Sequence, residues 1–285
     1  MVVDKEDPKY PALLKEIPDA PKQLYYKGEW NPYIFENCLA VVGSRHMTSY
    51  GKRATEQIVG EVAAAGVTIV SGFMYGVDAT AHKAAVNANG KTIAVMPCGI
   101  ERIHPEYQKD LYDKILETGG LIISEYDGDS MPQLWTYPKR NRIVAGLASA
   151  TLVVEAGLES GSLITADFAK KFGRKVFAVP GPITSEVSRG TAKLMQEGAS
   201  LVQNANDILE FYESAVQSPT FSRSKSGFSG NPLEQRILEM LARESAEADL
   251  IARTLNISAS ELGTTLSLME LQGIISKEGG KYYIN

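Results

Sequence analysis

Residues 39–72 read LAVVGSRHMTSYGKRATEQIVGEVAAAGVTIVSG, and this stretch decides the fold. It opens with the short apolar run Leu39–Val42 and ends with a second one, Val67–Val70. Between them, Gly51–Ala65 has the length and the mixture of apolar and charged residues of an amphipathic helix. Apolar runs that lack polar alternation are typical of strands buried on both faces of a parallel sheet. The stretch therefore predicts one strand–helix–strand unit.

The same alternation continues along the chain. Four further apolar runs predict strands, at Thr92–Met96, Leu121–Ser124, Thr151–Glu155 and Val176–Val179. Segments of helical length accompany them, at Ala79–Asn89, Glu106–Thr118, Arg142–Leu147 and Ile164–Phe172. Because strands that alternate with helices pair in parallel and carry helices on both faces of the sheet, we predict a doubly wound, mostly parallel, Rossmann-like α/β sheet.

Changes in composition predict the domain boundaries. Residues 1–35 contain five prolines, and we expect an extended segment with one short helix, packed on a core domain of residues 36–213. Residues 214–231 are rich in serine and are predicted to be a flexible linker. Residues 232–285 show three short helical patterns followed by a hairpin pattern, which predicts a small winged-helix domain.

The predicted winged helix is acidic. From Pro232 onward there are five basic and eight acidic residues, and the expected recognition helix, Ser258 to Leu271, contains no lysine or arginine. Since duplex binding draws most of its affinity from cations on phosphates, we expect this domain to mediate protein contacts or regulation.

The overall composition is that of an ordinary globular protein, with 44% hydrophobic and 22% charged residues. The net charge of −5 does not exclude a nucleic-acid partner, because a local basic pocket is sufficient. No signal-peptide pattern or membrane-spanning run is present, so we expect a cytoplasmic protein with no membrane partner. The two cysteines, Cys38 and Cys98, are expected to be buried reduced thiols.

Loops rich in Gly, Ser and Thr follow the predicted strands. In a parallel sheet these loops all emerge at the carboxyl edge, where ligands bind. Glycine permits close approach of the backbone and helix N-termini attract anions, although one such loop alone is more typical of ordinary helix caps and tight turns. Several on one edge favour a phosphate-binding site. Its candidate residues are Gly43, Ser44, Arg45, Ser71, Gly72, Ser160, Gly161, Ser162 and Thr165.

A second indication of a nucleic-acid site is the segment Leu134–Arg142, LWTYPKRNR, which is predicted to lie just before a helix. Aromatic rings can stack on bases while cations hold phosphates, a combination typical of single-stranded nucleic-acid sites. The candidates for phosphate contacts are Lys139, Arg140, Asn141 and Arg142, and the stacking ring is either Tyr137 or Trp135.

The segments that resemble enzyme or cofactor motifs lack the sequence context that those motifs require. Gly90-Lys91-Thr92 resembles the end of a phosphate-binding P-loop but precedes a strand instead of following one. No G-x-G-x-x-G follows the first strand, and the three histidines lack metal-ligand spacing. We therefore expect no catalytic residue, no metal and no cofactor.

Five motifs together resemble those of the DNA-processing protein A family, also called DprA or Smf. They are Val42–Arg45 with Thr48, Tyr50 and Gly51; Ser71–His82; Pro138–Leu147; Ser160–Ala166; and Val176–Gly181. The similarity covers about residues 10–212. The bulky Phe73-Met74-Tyr75 and the Met96–Gly99 step depart from the family pattern.

The resemblance implies a non-enzymatic protein that binds incoming single-stranded DNA, protects it, helps to load the RecA recombinase in natural transformation, and forms a homodimer. It implies that Gly43-Ser44-Arg45 binds phosphate and that the Lys139–Arg142 segment lines the path of the strand. Two alternatives stay open. One is a nucleotide-binding enzyme of the phosphoribohydrolase type with a catalytic glutamate in Glu155–Thr165, and the other is a regulator that senses a mononucleotide.

Overall fold

The computed structural model describes residues 1–215, 232–241, 246–255, 257–271, 274–278 and 280–284. The chain divides into two compact units, Met1–Phe221 and Ser222–Asn285. The predicted linker, residues 214–231, lies outside the described residues except for its first two, which end a helix.

The first unit is built on one sheet of nine strands. Their bounds are β1 (Val2–Asp4), β2 (Gln23–Lys27), β3 (Cys38–Val42), β4 (Thr68–Ser71), β5 (Thr92–Gly99), β6 (Leu121–Tyr126), β7 (Ala150–Val153), β8 (Lys175–Ala178) and β9 (Ser200–Leu201). Their spatial order is β1-β2-β6-β5-β4-β3-β7-β8-β9, with every pairing from β6 to β9 parallel. The predicted doubly wound parallel sheet is confirmed, and its six predicted strands are β3 to β8.

Eight helices accompany this sheet in residues 1–215. They are α1 (Ala12–Lys15), α2 (Ser49–Ala64), α3 (Val77–Asn87), α4 (Lys109–Glu117), α5 (Thr136–Leu147), α6 (Gly161–Lys171), α7 (Arg189–Gln196) and α8 (Asn206–Ala215). Strand β3 shows why the sheet needs helices on both faces. All five of its residues are buried, with Cys38, Ala40 and Val42 in one apolar cluster and Leu39 and Val41 in another. The first cluster includes residues of α5 and α6, and the second includes residues of α2 and α3.

Helix α5 begins six residues earlier than predicted. The sequence analysis placed the helix at Arg142–Leu147 and the aromatic and basic residues before it, whereas the structure starts the helix at Thr136. Pro138 does not prevent this, because proline is tolerated in the first turn of a helix, where backbone N–H groups lack helical partners. The aromatic and basic residues therefore follow helical geometry, which decides where each side chain points.

The N-terminal segment adds two strands that were not predicted. Strands β1 and β2 pair antiparallel, and β2 pairs antiparallel with β6, which extends the sheet beyond its parallel part. Only the short helix α1 was expected here; its Leu14 is fully buried against α5, where a side-chain carbon added at Gly146 would lie 2.8 Å from Leu14 Cδ1. Both ends of the sheet are short strands, of three residues in β1 and two in β9.

The second unit, within its described residues, contains α9 (Pro232–Leu241), β10 (Ala246–Glu247), α10 (Ala248–Leu255), α11 (Ala259–Leu271), β11 (Ile275–Glu278) and β12 (Lys281–Ile284). The strands form an antiparallel sheet in the order β10-β12-β11. Apolar residues from all three helices and the hairpin share one core, with Ile237, Ile251 and Met269 fully buried. Three helices and a hairpin are the predicted winged helix.

Both cysteines, Cys38 and Cys98, are free and buried, as predicted. Among the described residues, no helix has the length and apolar character needed to cross a bilayer.

Candidate functional site

One cleft of the first unit lies at the carboxyl ends of β3 and β7. Here the strand order reverses, because β4 to β6 extend to one side of β3 and β7 to β9 to the other. Ligands of doubly wound sheets bind at such a point. The cleft has a volume of about 550 Å³. We call it the switch-point cleft. Its lining includes ten predicted residues: Gly43, Ser44, Arg45, Tyr137, Arg140, Asn141, Ser160, Gly161, Ser162 and Thr165.

The loop after β3 folds so that its arginine faces the cleft. The Ser44 amide donates to the Glu155 carbonyl at 2.6 Å, and the Ser44 hydroxyl accepts from the His46 amide at 3.0 Å. A side-chain carbon at Gly43 would lie 2.6 Å from Val77 Cγ2, so glycine is required by the close approach of α3. The Ser44 groups are thus used to shape the loop, and Arg45 is its exposed cation.

Two tyrosine rings hold the Arg45 side chain. Its guanidinium carbon lies 5.3 Å from the centroid of the Tyr137 ring and 5.6 Å from that of the Tyr75 ring, both within the range of cation–π attraction. From sequence, Tyr137 and Trp135 are both candidates for the stacking ring. Only Tyr137 lines the switch-point cleft, whereas Trp135 packs edge-on against Tyr126 on the other side of α5.

Helix α6 points its N-terminus into the same cleft. Its N-cap, Ser160, accepts a hydrogen bond from the Ser162 amide, and the two serine hydroxyls are 2.8 Å apart. The Gly161 amide has no hydrogen-bond partner among the described residues, and nothing lies within 4 Å of where a Gly161 side chain would begin. An eleven-residue helix whose Gly161 amide has no partner among the described residues offers a site for an anion.

Arg140 forms the floor of the cleft and is not free. Its side chain is 4% exposed and donates to the carbonyls of Gly72, after β4, and Val95, in β5. Burial lowers the pKa of Arg140 to about 10, an effect that nearby Asp78 opposes. Burial likewise raises the pKa of Asp78, against the attraction of Arg140. Arg140 is therefore charged at neutral pH, and it ties strand ends together while adding positive potential under the cleft.

Asn141 links the two helices that border the cleft. Its amide nitrogen donates to the Gly161 carbonyl at 3.2 Å, and its amide oxygen accepts from Arg140 Nε at 3.2 Å. Both ends of the amide thus have partners. The two remaining candidates after β4 lie beneath the cleft: Ser71 is fully buried and donates to the Val41 carbonyl, and Gly72 packs against the Arg140 guanidinium.

The two remaining basic candidates, Lys139 and Arg142, do not line the switch-point cleft. Because they are three residues apart on α5, they share a helix face, while Tyr137 and Asn141 share another. Both contact the Glu125 carboxylate, at 3.3 Å for Lys139 and 2.6 Å for Arg142. They line a separate cleft of about 840 Å³ together with residues of the N-terminal segment. We call it the Glu125 cleft.

Three residues without a ligand-binding role predicted from sequence prove to belong to the site: His46 lines the cleft, Tyr75 contacts Arg45, and His104 contacts Tyr137. Tyr75 follows β4 at the carboxyl edge, so the same argument that singled out Ser71 and Gly72 could have included it. His104 reaches the site only through a hydrogen bond of its Nε2 to the Tyr137 hydroxyl, at 2.9 Å. No sequence pattern indicates that contact.

Glu155 is one of the glutamates that could be catalytic in the enzyme alternative, but it does not line the switch-point cleft. It is 2% exposed, and its two carboxylate oxygens accept from the Thr48 amide at 2.7 Å and the Thr48 hydroxyl at 2.6 Å. Thr48 is the N-cap of α2, so Glu155 stabilises the start of that helix. Within the described residues no group of histidine, cysteine, aspartate or glutamate side chains is arranged to hold a metal ion.

The fold and the cleft together define a class, the Rossmann-like proteins that carry a C-terminal winged-helix domain. Residues 1–213 match the family model described as DNA recombination-mediator protein A, and residues 222–281 match the DprA winged helix domain. The chain belongs to the DNA recombination-mediator protein A family.

Comparison with individual proteins and solved structures supports the same family membership. The chain is 39% identical to Protein Smf of Escherichia coli strain K12 over 281 residues, which cover 96% of this chain and 74% of that protein. The X-ray structure of DNA processing protein A from Streptococcus pneumoniae superposes with a TM-score of 0.69 at 41% identity, over 74% of this chain and 73% of that one. A structure of DNA processing protein A from Helicobacter pylori, described as showing a single-stranded DNA binding mode, gives a TM-score of 0.67 at 30% identity, over 75% and 97% of the two chains.

Proposed function

We propose that this protein binds single-stranded DNA in the switch-point cleft, through phosphates and stacked bases and without sequence readout. The observation that carries the proposal is Arg45, an exposed cation that lines the cleft within cation–π distance of both the Tyr75 and Tyr137 rings. Stacking rings beside a cation that can pair with phosphate are the elements of a sequence-tolerant single-strand site.

Two anion-binding groups face each other across the cleft in this proposal. Arg45 approaches from the loop after β3, and the α6 N-terminus with its Gly161 amide lies across from it. A phosphate on either group would place the neighbouring base near Tyr137. A cleft of about 550 Å³ is of the size that holds small ligands, so it would admit single nucleotides of a flexible strand more readily than a rigid duplex. The single-stranded DNA binding of the Helicobacter pylori relative supports this assignment.

The wider role follows from family membership. We propose that the protein acts in the cytoplasm as a homodimer, protects incoming single strands, and helps to load the RecA recombinase during natural transformation and recombination. The family description as a recombination mediator supports this role. The acidic winged helix, whose α11 contains no lysine or arginine, would contact proteins and not duplex DNA.

The enzyme alternative is less well supported. A phosphoribohydrolase would need a carboxylate free to act on its substrate, and both oxygens of Glu155 are used to bind Thr48. Glu159 does line the cleft. The loop beside it reads Ser160-Gly161-Ser162, however, and is not the glycine-rich loop that a phosphoribohydrolase requires. We therefore propose a binding protein and not an enzyme.

The test is fluorescence anisotropy of labelled oligo-dT across a salt series, with unlabelled duplex and mononucleotides as competitors. We expect binding that weakens steeply with salt, that needs several contiguous nucleotides, and that duplex DNA displaces poorly. Saturable binding of a mononucleotide with no gain from longer strands would support the regulator instead. Release of free base from nucleoside monophosphates would support the enzyme.

Replacement of Lys139 by alanine is expected to change the affinity for oligo-dT less than about threefold. Lys139 lies in the Glu125 cleft and is already paired with the Glu125 carboxylate, and partly exposed ion pairs contribute little net energy. The same anisotropy assay measures it, with Lys52→Ala as a control for the loss of a paired, exposed lysine. A loss as large as that from Arg45→Ala would mean that the strand extends into the Glu125 cleft.

A further inference from the structure

Five side chains from four segments of the chain form a continuous series of contacts beside the switch-point cleft, and three of them, Arg45, His46 and Tyr137, line it. In order they are His46, Tyr75, Arg45, Tyr137 and His104. The His46 ring meets Tyr75 edge-on at 6.2 Å between centroids, Arg45 lies within cation–π distance of both tyrosines, and the His104 ring meets Tyr137 edge-on at 6.2 Å. The His104–Tyr137 hydrogen bond closes one end of the series.

This arrangement addresses a physical problem of the site. Arginine has many rotamers, and an exposed one loses conformational entropy when it fixes a phosphate. Cation–π contacts with two rings restrict the guanidinium before any ligand arrives. The Tyr137 ring does so best when its own orientation is fixed, and the hydrogen bond between its hydroxyl and His104 Nε2, at 2.9 Å, supplies that restraint.

We propose that His104 is a positioning residue of the strand-binding site: through the Tyr137 hydroxyl it holds Arg45 ready for phosphate, and its protonation couples strand binding to pH. This inference rests on the proposed function, and it adds a regulator that touches neither phosphate nor base. The coupling follows from geometry, since one hydrogen bond and one ring separate the imidazole from the cation that would contact the strand.

The charged groups around His104 set the direction of the pH effect. Burial and the positive charges of Arg102 and Arg45 lower the pKa of His104, and Glu106 opposes them. The imidazole is therefore neutral at neutral pH in the free protein. A phosphate beside Arg45 would offset part of that positive charge and raise the pKa of His104. By linkage, affinity for the strand should rise as the pH falls through the range in which His104 takes up its proton.

A first experiment needs no DNA. The chain has only three histidines, so their ring signals can be followed separately by NMR on ¹³C-histidine-labelled protein during a pH titration. Burial lowers the pKa of His82 to about 3, so we expect His82 to stay silent above pH 5. The His104 midpoint should lie below the usual value of about 6.5 and should move in Tyr137→Phe. An unmoved His104 midpoint would overturn the proposal.

A second experiment measures oligo-dT affinity between pH 5.5 and 8. At pH 8 we expect His104→Ala and Tyr137→Phe each to weaken binding about three- to tenfold, as for loss of one hydrogen bond, with no further loss in the double variant. His104→Gln, which can still bond the Tyr137 hydroxyl, should bind like the wild type at pH 8 but lose the gain at pH 5.5. A variant with a general loss of structure would bind oligo-dT poorly at both pH values, so normal affinity at pH 8 with a missing gain at pH 5.5 would identify a specific role of the imidazole.

The outcomes separate the two proposals. If the wild type binds oligo-dT through Arg45 but His104→Ala binds equally well, or if the two single losses add in the double variant, the role of His104 is wrong and the proposed function stands. If His104→Gln keeps the full pH dependence, the coupling to pH is wrong. If the wild type does not bind oligo-dT, both proposals fail.

Discussion

Arg45→Ala should weaken the binding of oligo-dT by about 10- to 100-fold, the range for loss of a hydrogen-bonded contact between a charged side chain and a phosphate. The effect should be large because Arg45 is the exposed cation of the cleft, while Arg140 is committed to backbone carbonyls and Lys139 and Arg142 contact Glu125. The slope of log affinity against log salt should fall by about 0.7, as for one lost phosphate contact on a single strand. Anisotropy at several salt concentrations measures both quantities.

Two variants serve as controls for that result. Arg45→Lys keeps the charge but loses the planar guanidinium that contacts both tyrosine rings, so we expect partial recovery of affinity and full recovery of the salt slope. Arg53→Ala removes an exposed arginine of α2 that does not line the cleft, and it should leave binding unchanged. If Arg45→Ala and Arg53→Ala bind equally well, the strand is held elsewhere and the site assignment is wrong.

Gly76→Ala should destabilise the first unit by about 3 kcal/mol, through backbone strain and a steric clash together. Gly76 precedes α3 with φ at +83°, a conformation that strains any residue with a side chain. A methyl group there would overlap the Ser44 carbonyl and lie 2.7 Å from Arg45 Cα, and these are backbone atoms that cannot turn aside. Urea unfolding followed by circular dichroism measures the loss, and oligo-dT binding should fall as well because the Arg45 backbone must move.

The chain offers glycines that separate the two causes. Gly66 also has a positive φ, +91°, but no atom lies within 4 Å of its missing side chain, so Gly66→Ala should cost only about 1 kcal/mol. Gly60 lies inside α2 with open space around it, and Gly60→Ala should stabilise by about 0.5–1 kcal/mol. Equal losses for Gly76→Ala and Gly66→Ala would show that the clash with the Arg45 loop does not matter.

The parallel part of the sheet could be predicted because its strands are buried on both faces and so appear as unbroken apolar runs, such as Cys38–Val42. Strands β1 and β2 could not. Val3 and Leu24 are buried, but their neighbours in these strands are exposed or half-buried, and three- and five-residue strands among prolines carry too short a pattern. They form because β6 offers a free edge, a tertiary cause that no local window contains.

The site was predictable to the extent that topology determines it. Loops after parallel strands must meet at one edge, and Arg45 and Ser160–Ser162 do so. The sequence did not predict that Lys139 and Arg142 would face one cleft while Tyr137 and Asn141 face the other. That separation depends on α5 beginning at Thr136, and a helix predicted to begin six residues later does not include the turn that places Lys139 and Arg142 on one face. The partners of Arg140 and His104 also come from strands and loops distant in sequence, so only the folded chain reveals them.

The very short strands at the two ends of the sheet bear on how the protein behaves when crowded. A long, flat edge strand exposes unpaired backbone groups that recruit strands of other molecules and start aggregation. Three residues in β1 and two in β9 offer little such template, whereas loss of the first four residues would leave the five-residue β2 as the edge. The N-terminal segment would thus limit edge-to-edge pairing between copies of the protein at high concentration.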